Sequence, residues 1–425
     1  MSSLYYIKNK TLIDRNGNIF KTVNDEIFLT ADNISGVYSY SDYVSAIRSN
    51  LGMHVIKLYT LNEDESINQD VSEYVLSGTY THNYQQGQTH SLSIILNNAD
   101  GFWKAEPING NIWNGSKFRL DIGIYSNGKV FWKKCGVFVV QTVDMSGSPT
   151  KQASVQMYDK FALFDGKISG KTDGDFKISV GTPLITAIEQ CVHYKDDEHG
   201  IVTYDEKPVV YEVIDPSKID IKTPYTIEKS ASSTLGDIII ELANMASLDV
   251  FYNENGNLTL RPGNDVWLED ERPVQWYYTQ YDHLDYAEPT YNINYGEIVN
   301  KIIVKGMVAE GKLMKGIAIN DNPLSKSNIQ LNRVNTEIIE DENIMSDSLA
   351  EERAIYELNK RLISYAKNSY KSIFVPHLAP KDVVMWTCPE FNIYNEKFII
   401  QSLSFSLESG SFMSIDMTNV KEVKM

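Results

Sequence analysis

Residues 90–143 read HSLSIILNNADGFWKAEPINGNIWNGSKFRLDIGIYSNGKVFWKKCGVFVVQTV, and this stretch decides the fold. Ser91–Leu96 alternates small polar residues with Leu and Ile at period two, the pattern of a half-buried strand. Asn97-Asn98-Ala99-Asp100-Gly101 breaks it, because Asn, Asp and Gly accept left-handed backbone angles that branched residues resist. Phe118–Ile124 and Val130–Val140 predict two further strands, joined at Asn127-Gly128, the strongest short-range hairpin signal. Between them Phe102, Trp103 and Trp113 place large apolar faces in a polar loop. One antiparallel sheet with an elaborated loop is the expectation.

Working outward, 425 residues predict two to four structural units. Hydrophobic content of 42% against 22% charged residues allows a sizeable core. The 26 Tyr stand out, and Tyr suits both sheets and wet interfaces because only one end of it is apolar. A net charge of −17 argues against binding to nucleic-acid phosphates, and no basic run reverses it. Cys135, Cys191 and Cys388 are few, odd in number and far apart, so no disulfide framework is implied and a reducing cytoplasm suits synthesis. Neither a signal peptide nor a membrane-spanning apolar run is read, so no membrane partner is expected.

In chain order, residues 1–52 read as an arm or small cap. Residues 53–165 carry many short strands with regular turn signals, which means a sandwich or a barrel. After the polar stretch Gly166–Asp175 the periodicity turns helical. Thr182-Pro183 and Thr234 predict helix starts, and Asn253–Gly256 predicts a hairpin, so residues 166–265 form a small α+β unit. The Tyr- and Trp-rich residues 266–298 read as a crossover. Residues 299–425 return to strands, opening with Asn300–Gly306 and passing the turn Asp321-Asn322-Pro323. They hold one long helix: Ser348 and Glu351 make a capping box, and Ala354, Leu358, Leu362 and Tyr365 form one apolar stripe.

The order of these motifs resembles the baseplate hub proteins of phage tails and phage-tail-like particles from Gram-positive hosts. The resemblance rests on Asn97, Asp100 and Gly101 in the first turn, Trp113 and Gly115 in the second, and Gly136 and Phe138 in the hairpin's second strand. Asp159 at a strand end and Asn300 to Gly306 add to it, as do Asp321, Asn322, Pro323 and Ser325. Pro380–Val384 matches the family's Gly-Asp-Val-Val with Lys381 in place of Gly, a departure that touches only the local turn angle. The resemblance implies a mainly β chain with an α+β insert: two tandem hub-type β-barrels, residues 53–165 and 299–425, joined by the small α+β unit. It further implies a structural virion protein, a homotrimer that adapts the six-fold tail tube or distal tail protein ring to a three-fold spike or fibre below. The tape-measure protein is then a neighbour, and the virion tail, assembled in the host cytoplasm, is the location.

Catalytic signatures are not found: metalloprotease, Walker and nucleophile-elbow patterns are missing. Cys191, His193 and His199 lack a fourth ligand at zinc spacing. Glu63, Asp64 and Glu65 read as a solvated turn, and Trp103 and Trp113 as loop anchors rather than a sugar cradle. No catalysis, cofactor, metal or sequence-specific nucleic-acid binding is expected. The alternative reading is the hub portion of a tail-associated peptidoglycan-degrading or host-surface-binding protein.

Overall fold

The computed structural model describes residues 6–8, 11–13, 19–21, 40–49 and 54–419, except 108–109, 127–128, 173, 195–204, 206, 212–220, 247, 263–273, 280–284, 295, 297, 310, 324, 326, 332, 343 and 362–365. The chain is mainly β and divides into two compact units. The first takes Met1–Arg261, Ser372–Leu378 and Ser402–Ser414; the second takes Pro262–Lys371, Ala379–Gln401 and Ile415–Met425.

In the first unit β1 (Tyr6–Lys8), β2 (Thr11–Ile13) and β3 (Ile19–Lys21) make a small antiparallel sheet, followed by α1 (Tyr40–Ser49). The main sheet uses β4 (His54–Leu61), β5 (Ile67–Asp70), β6 (Val75–Asn83), β7 (His90–Asn97), β8 (Lys117–Ser126), β9 (Lys129–Ser146) and β10 (Gln152–Asp159). Its order is β5-β4-β8-β9-β10-β7-β6, with Ser402–Ser406 added antiparallel to β6. The period-two reading of Ser91–Leu96 is realised in register: Leu92, Ile94 and Leu96 lie opposite Met157, Val155 and Ala153, and all six are buried. A bulge interrupts the β8–β9 register beside Gly136, whose φ of +147° explains a glycine at that place.

The remainder of this unit is α+β: β11 (Phe176–Ile178), α2 (Leu184–Val192), β12 (Val210–Tyr211), β13 (Ile227–Lys229), α3 (Leu235–Met245), β14 (Leu248–Tyr252) and β15 (Leu258–Pro262). Thr234 caps α3, its Oγ accepting from the Asp237 amide at 3.2 Å. At α2 Pro183, not Thr182, holds the cap position, and the Thr182 hydroxyl donates to the Ser179 carbonyl. The apolar faces of α2 and α3 close over β14 and β15 around Ile188, Ile239, Leu242 and Leu260. The turn before β7 ties this layer to the main sheet: Gly87 N donates to Val250 O at 2.8 Å, and Val250 N to Gln86 Oε1 at 3.1 Å. A Cβ on Gly87 would lie 2.7 Å from the Phe161 ring, so only glycine lets the turn approach so closely.

The second unit contains β16 (Val274–Tyr278), β17 (Tyr286–Ile293), β18 (Lys301–Ala309), β19 (Lys312–Ile319), β20 (Thr336–Glu340), α4 (Asp347–Arg361) and β22 (Val383–Cys388), with β21 (Ala366–Ser372) up to Lys371, β23 (Ile393–Ser406) up to Gln401 and β24 (Met413–Asn419) from Ile415. Residues 266–298, expected as a crossover, thus supply two strands: β16 pairs parallel with β22, and β17 lies beside β21. Strand order runs β17-β21-β24-β23, with β22 also on β23, and the pairing among the described residues closes no barrel. Lys381 keeps a left-handed turn with φ of +76° although it is not glycine, and burial draws its amine well below the ordinary lysine range. A separate sheet, β19-β18-β20, carries α4 on one face around Ile302, Val304, Ala318, Ala354 and Leu358. The helix crosses so closely that a Cβ on Gly316 would lie 2.1 Å from the Ala350 carbonyl carbon.

Candidate functional site

For a chain read as an assembly subunit, the informative places are the loops that hold shape and the surfaces left open. The first is the elaborated loop after β7. Asn97 Oδ1 accepts from Ala99 N at 3.0 Å, and Asp100 Oδ1 accepts from Phe102 N at 3.0 Å. Both are side chains standing in for backbone partners, the use that Asn and Asp have in turns. Gly101, at φ +72°, has open space around it, so its backbone angle alone calls for glycine. Asn98 then grips Trp103 by both its amide N–H and its carbonyl, at 2.8 and 3.1 Å. Asn111 holds Phe102 O at 2.7 Å and Lys104 N at 3.0 Å.

Between those two clamps Trp103 is buried, its ring edge-on to Tyr74 and Phe102 and near Phe118. Trp113 differs. It is 44% exposed, in a turn closed by Ser116 Oγ at 2.8 Å and by Gly115 at φ +85°. Of the two predicted anchors, only Trp103 anchors. Phe138 is fully buried on β9, opposite Phe118.

A second site was not legible from any one motif. Lys160, with no exposed side-chain surface, donates to Glu65 Oε1 at 2.6 Å, Asp205 Oδ1 at 2.8 Å and Gly256 O at 2.9 Å. Three N–H donors of an ammonium therefore meet three acceptors. Tyr252 adds its hydroxyl to Asp205 Oδ2 at 2.8 Å, and Lys207 and Lys117 pair with Glu65 at 2.5 and 3.1 Å. Burial alone would raise the Glu65 carboxyl, but Lys160 first, then Lys207 and Lys117, hold it below the usual range. Glu65 is thus the buried centre of an ionic cluster rather than part of a solvated turn. Asp64, exposed and hydrogen-bonded to Ser66, does behave as the turn residue. Beside this cluster, buried Asp159 accepts from Thr89 N and His90 N at 2.7 and 2.8 Å, and its other oxygen accepts from Phe161 N. Asp159 and Lys160 lock the end of β10, the start of β7 and the α+β layer together.

In the second unit Asp321 and Pro323 are exposed. The residue that builds their turn is buried Asn320, whose amide donates to Ser325 and Ser327 at 2.9 and 2.8 Å. Asn300, also buried, staples the following loop through Arg333 O and Asn335 N. Asp321, Asn322 and Pro323 join Ile317, Ala318, Ile319 and Ile355 around an open groove of about 660 Å³. The capping box expected at Ser348 and Glu351 is replaced by a start two residues earlier. Ser346 Oγ accepts from Leu349 N at 3.2 Å, and Asp347 is drawn onto β19 by Lys312 and by Lys315 N at 2.9 Å. Leu358 is fully buried, while Leu362 lies outside the described residues.

Cys135, Cys191 and Cys388 are buried thiols, and burial pushes the Cys135 thiol up to about 12, which makes it a poor nucleophile. Among the described residues no three His, Cys, Asp or Glu side chains gather as a metal site, and no helix is long and apolar enough to cross a membrane. His199 lies outside the described residues.

No protein-family model matches the chain, and no curated protein matches it. Solved structures do. The 43 kDa tail protein of prophage MuSo2 from Shewanella oneidensis superposes with a TM-score of 0.57 at 16% identity, over 86% of this chain and 98% of that one. A tail protein from Neisseria meningitidis MC58 gives 0.58 at 8% identity, over 86% and 97%. At such identities the likeness is one of fold: the chain shares the fold of these tail proteins.

Proposed function

We propose that the chain is a structural subunit of a phage tail or tail-like particle, and more narrowly a baseplate hub. In that reading three copies form a ring in which two barrel-like regions per chain alternate, so that a three-fold object presents six similar surfaces to the tube or distal tail protein above. A spike or fibre sits below, and the tape-measure protein occupies the channel. The work is done by shape, without catalysis or cofactor.

The observation that carries this reading is the tail-protein fold likeness, which runs over 86% of this chain and nearly all of each compared protein. Buried Lys160 and Asp159 and part-buried Asn98 support it too, since they spend their hydrogen bonds on the chain's own backbone and side chains. The alternative, the hub portion of a tail-associated peptidoglycan-degrading or host-surface-binding protein, draws on the exposed Trp113 ring. Immunogold labelling of particles released by cells carrying this gene tests the role. Label at the tail end far from the head is expected; label on the capsid or along the tube would reject it.

A further inference from the structure

Strand β19 lies at an edge of its sheet, and its two halves are treated differently. Backbone direction follows from two bonds: Asn320 N reaches Asn300 O on the β18 side, whereas Lys315 N points away, to Asp347 Oδ1. By strand alternation the amides of Ile317 and Ile319 also point away from β18. Over residues 312–315 the edge is guarded by Lys312, Lys315 and the Asp347 carboxylate, the charged protection that sheet edges ordinarily carry. Over Ile317–Ile319 no described residue takes the outward amides. Those two isoleucines are 42% and 40% exposed, and they border the groove whose far wall is Ile355 of α4.

Charge identifies the occupant. Asp321 stands at one end of the groove, and Glu351 and Glu352 lie one helical turn before Ile355. None of these three carboxylates makes an ion pair among the described residues. We infer that β19 is an acceptor for strand addition: an extended segment of another protein, β-branched in its middle and flanked by Lys or Arg, pairs with Ile317–Ile319 and is held at its ends by Asp321 and by Glu351 and Glu352. A second copy offering β5 or β20 is a poorer occupant, since those edge strands carry Asp70, Glu337 and Glu340 and would bring like charge, whereas a second copy offering its own β19, with Lys312 and Lys315, is the competing occupant that the test separates.

The test uses the purified full chain and two fluorescein-labelled heptapeptides, Lys-Val-Thr-Val-Thr-Val-Lys and its counterpart with Glu at both ends. Fluorescence anisotropy at about 0.1 M salt should show the basic peptide binding at least about tenfold more tightly. The triple variant Asp321→Asn, Glu351→Gln, Glu352→Gln should erase that difference. Ile319→Lys should abolish binding, and Ile355→Lys, on a different element, repeats the test should the strand variant unfold. Equal binding of the two peptides, or basic-peptide binding that survives both lysine variants, overturns the inference. So does a self-associating chain that Ile319→Lys converts to monomer, because the groove would then belong to a second copy.

Discussion

Replacing Lys160 by Met should be among the most damaging single changes in the first unit. Among the described residues its Nζ is the only cation in hydrogen-bonding contact with Asp205, at 2.8 Å, and both partner carboxylates are almost wholly buried. Glu65 keeps Lys207 and Lys117 in the variant, so one uncompensated carboxylate is left, not two. Leaving a single buried charge without its partner costs about 3–5 kcal/mol, a large share of the roughly 5–15 kcal/mol that holds an ordinary domain folded. At about 2–4 °C per kcal/mol, the transition of this unit should fall by roughly 6–20 °C. The drop should be nearly independent of salt, because the pair is shielded from counterions. Adding Asp205→Asn to Lys160→Met removes the stranded charge and should restore most of the loss. Differential scanning calorimetry of wild type, single and double variants reads all of this. A single variant within about 1 kcal/mol of wild type, or a double variant worse than the single, would show that Lys160 does not hold the buried Asp205 charge.

Three further outcomes follow from the geometry. The half-buried His82 ring stacks on His90 at 3.7 Å, and desolvation, then His90, Lys133 and Arg261, hold its pKa well below the ordinary 6.5. The unfolded chain therefore binds the proton more readily, so thermal stability should fall as pH drops below 6.5, and His82→Gln should flatten that slope between about pH 7.5 and 5. Glu65 adds its own loss only under still more acid conditions, as pH falls below its ordinary 4.5 towards its lowered folded value. Gly316→Ala forces α4 off β19 and should cost about 1–3 kcal/mol or more, measured by urea unfolding. Leu358→Asp buries a carboxylate among Ile302, Val304 and Ala354 and should cost several kcal/mol, read as loss of soluble protein or of its cooperative transition.

What was legible in the sequence is what is local. The alternation of Ser91–Leu96 and the Asn97–Gly101 turn each specify a conformation within a few residues, and the structure places a strand and a turn there. Thr234 with Asp237 likewise caps its helix. The Lys160 cluster escaped because its partners lie 95 and 45 residues away, and a lysine after a strand reads as surface. Ser348 looked like a cap because its spacing to Glu351 is right. The actual start, at Ser346, is set by Asp347 docking on β19, a tertiary contact with Lys312 and Lys315 that no local pattern encodes. Trp103 and Trp113 look alike in the sequence, and only the Asn98 and Asn111 clamps make one of them core.

In the proposed hub, two regions of one chain let a three-fold ring meet a six-fold tube. Copy number in the intact tail tests it most directly, by asymmetric cryo-electron microscopy of particles or by quantitative mass spectrometry against a tube protein of known stoichiometry. Three copies per tail, each contributing two similarly folded regions around the axis, is the predicted result. Six copies, one at each six-fold position, would contradict it.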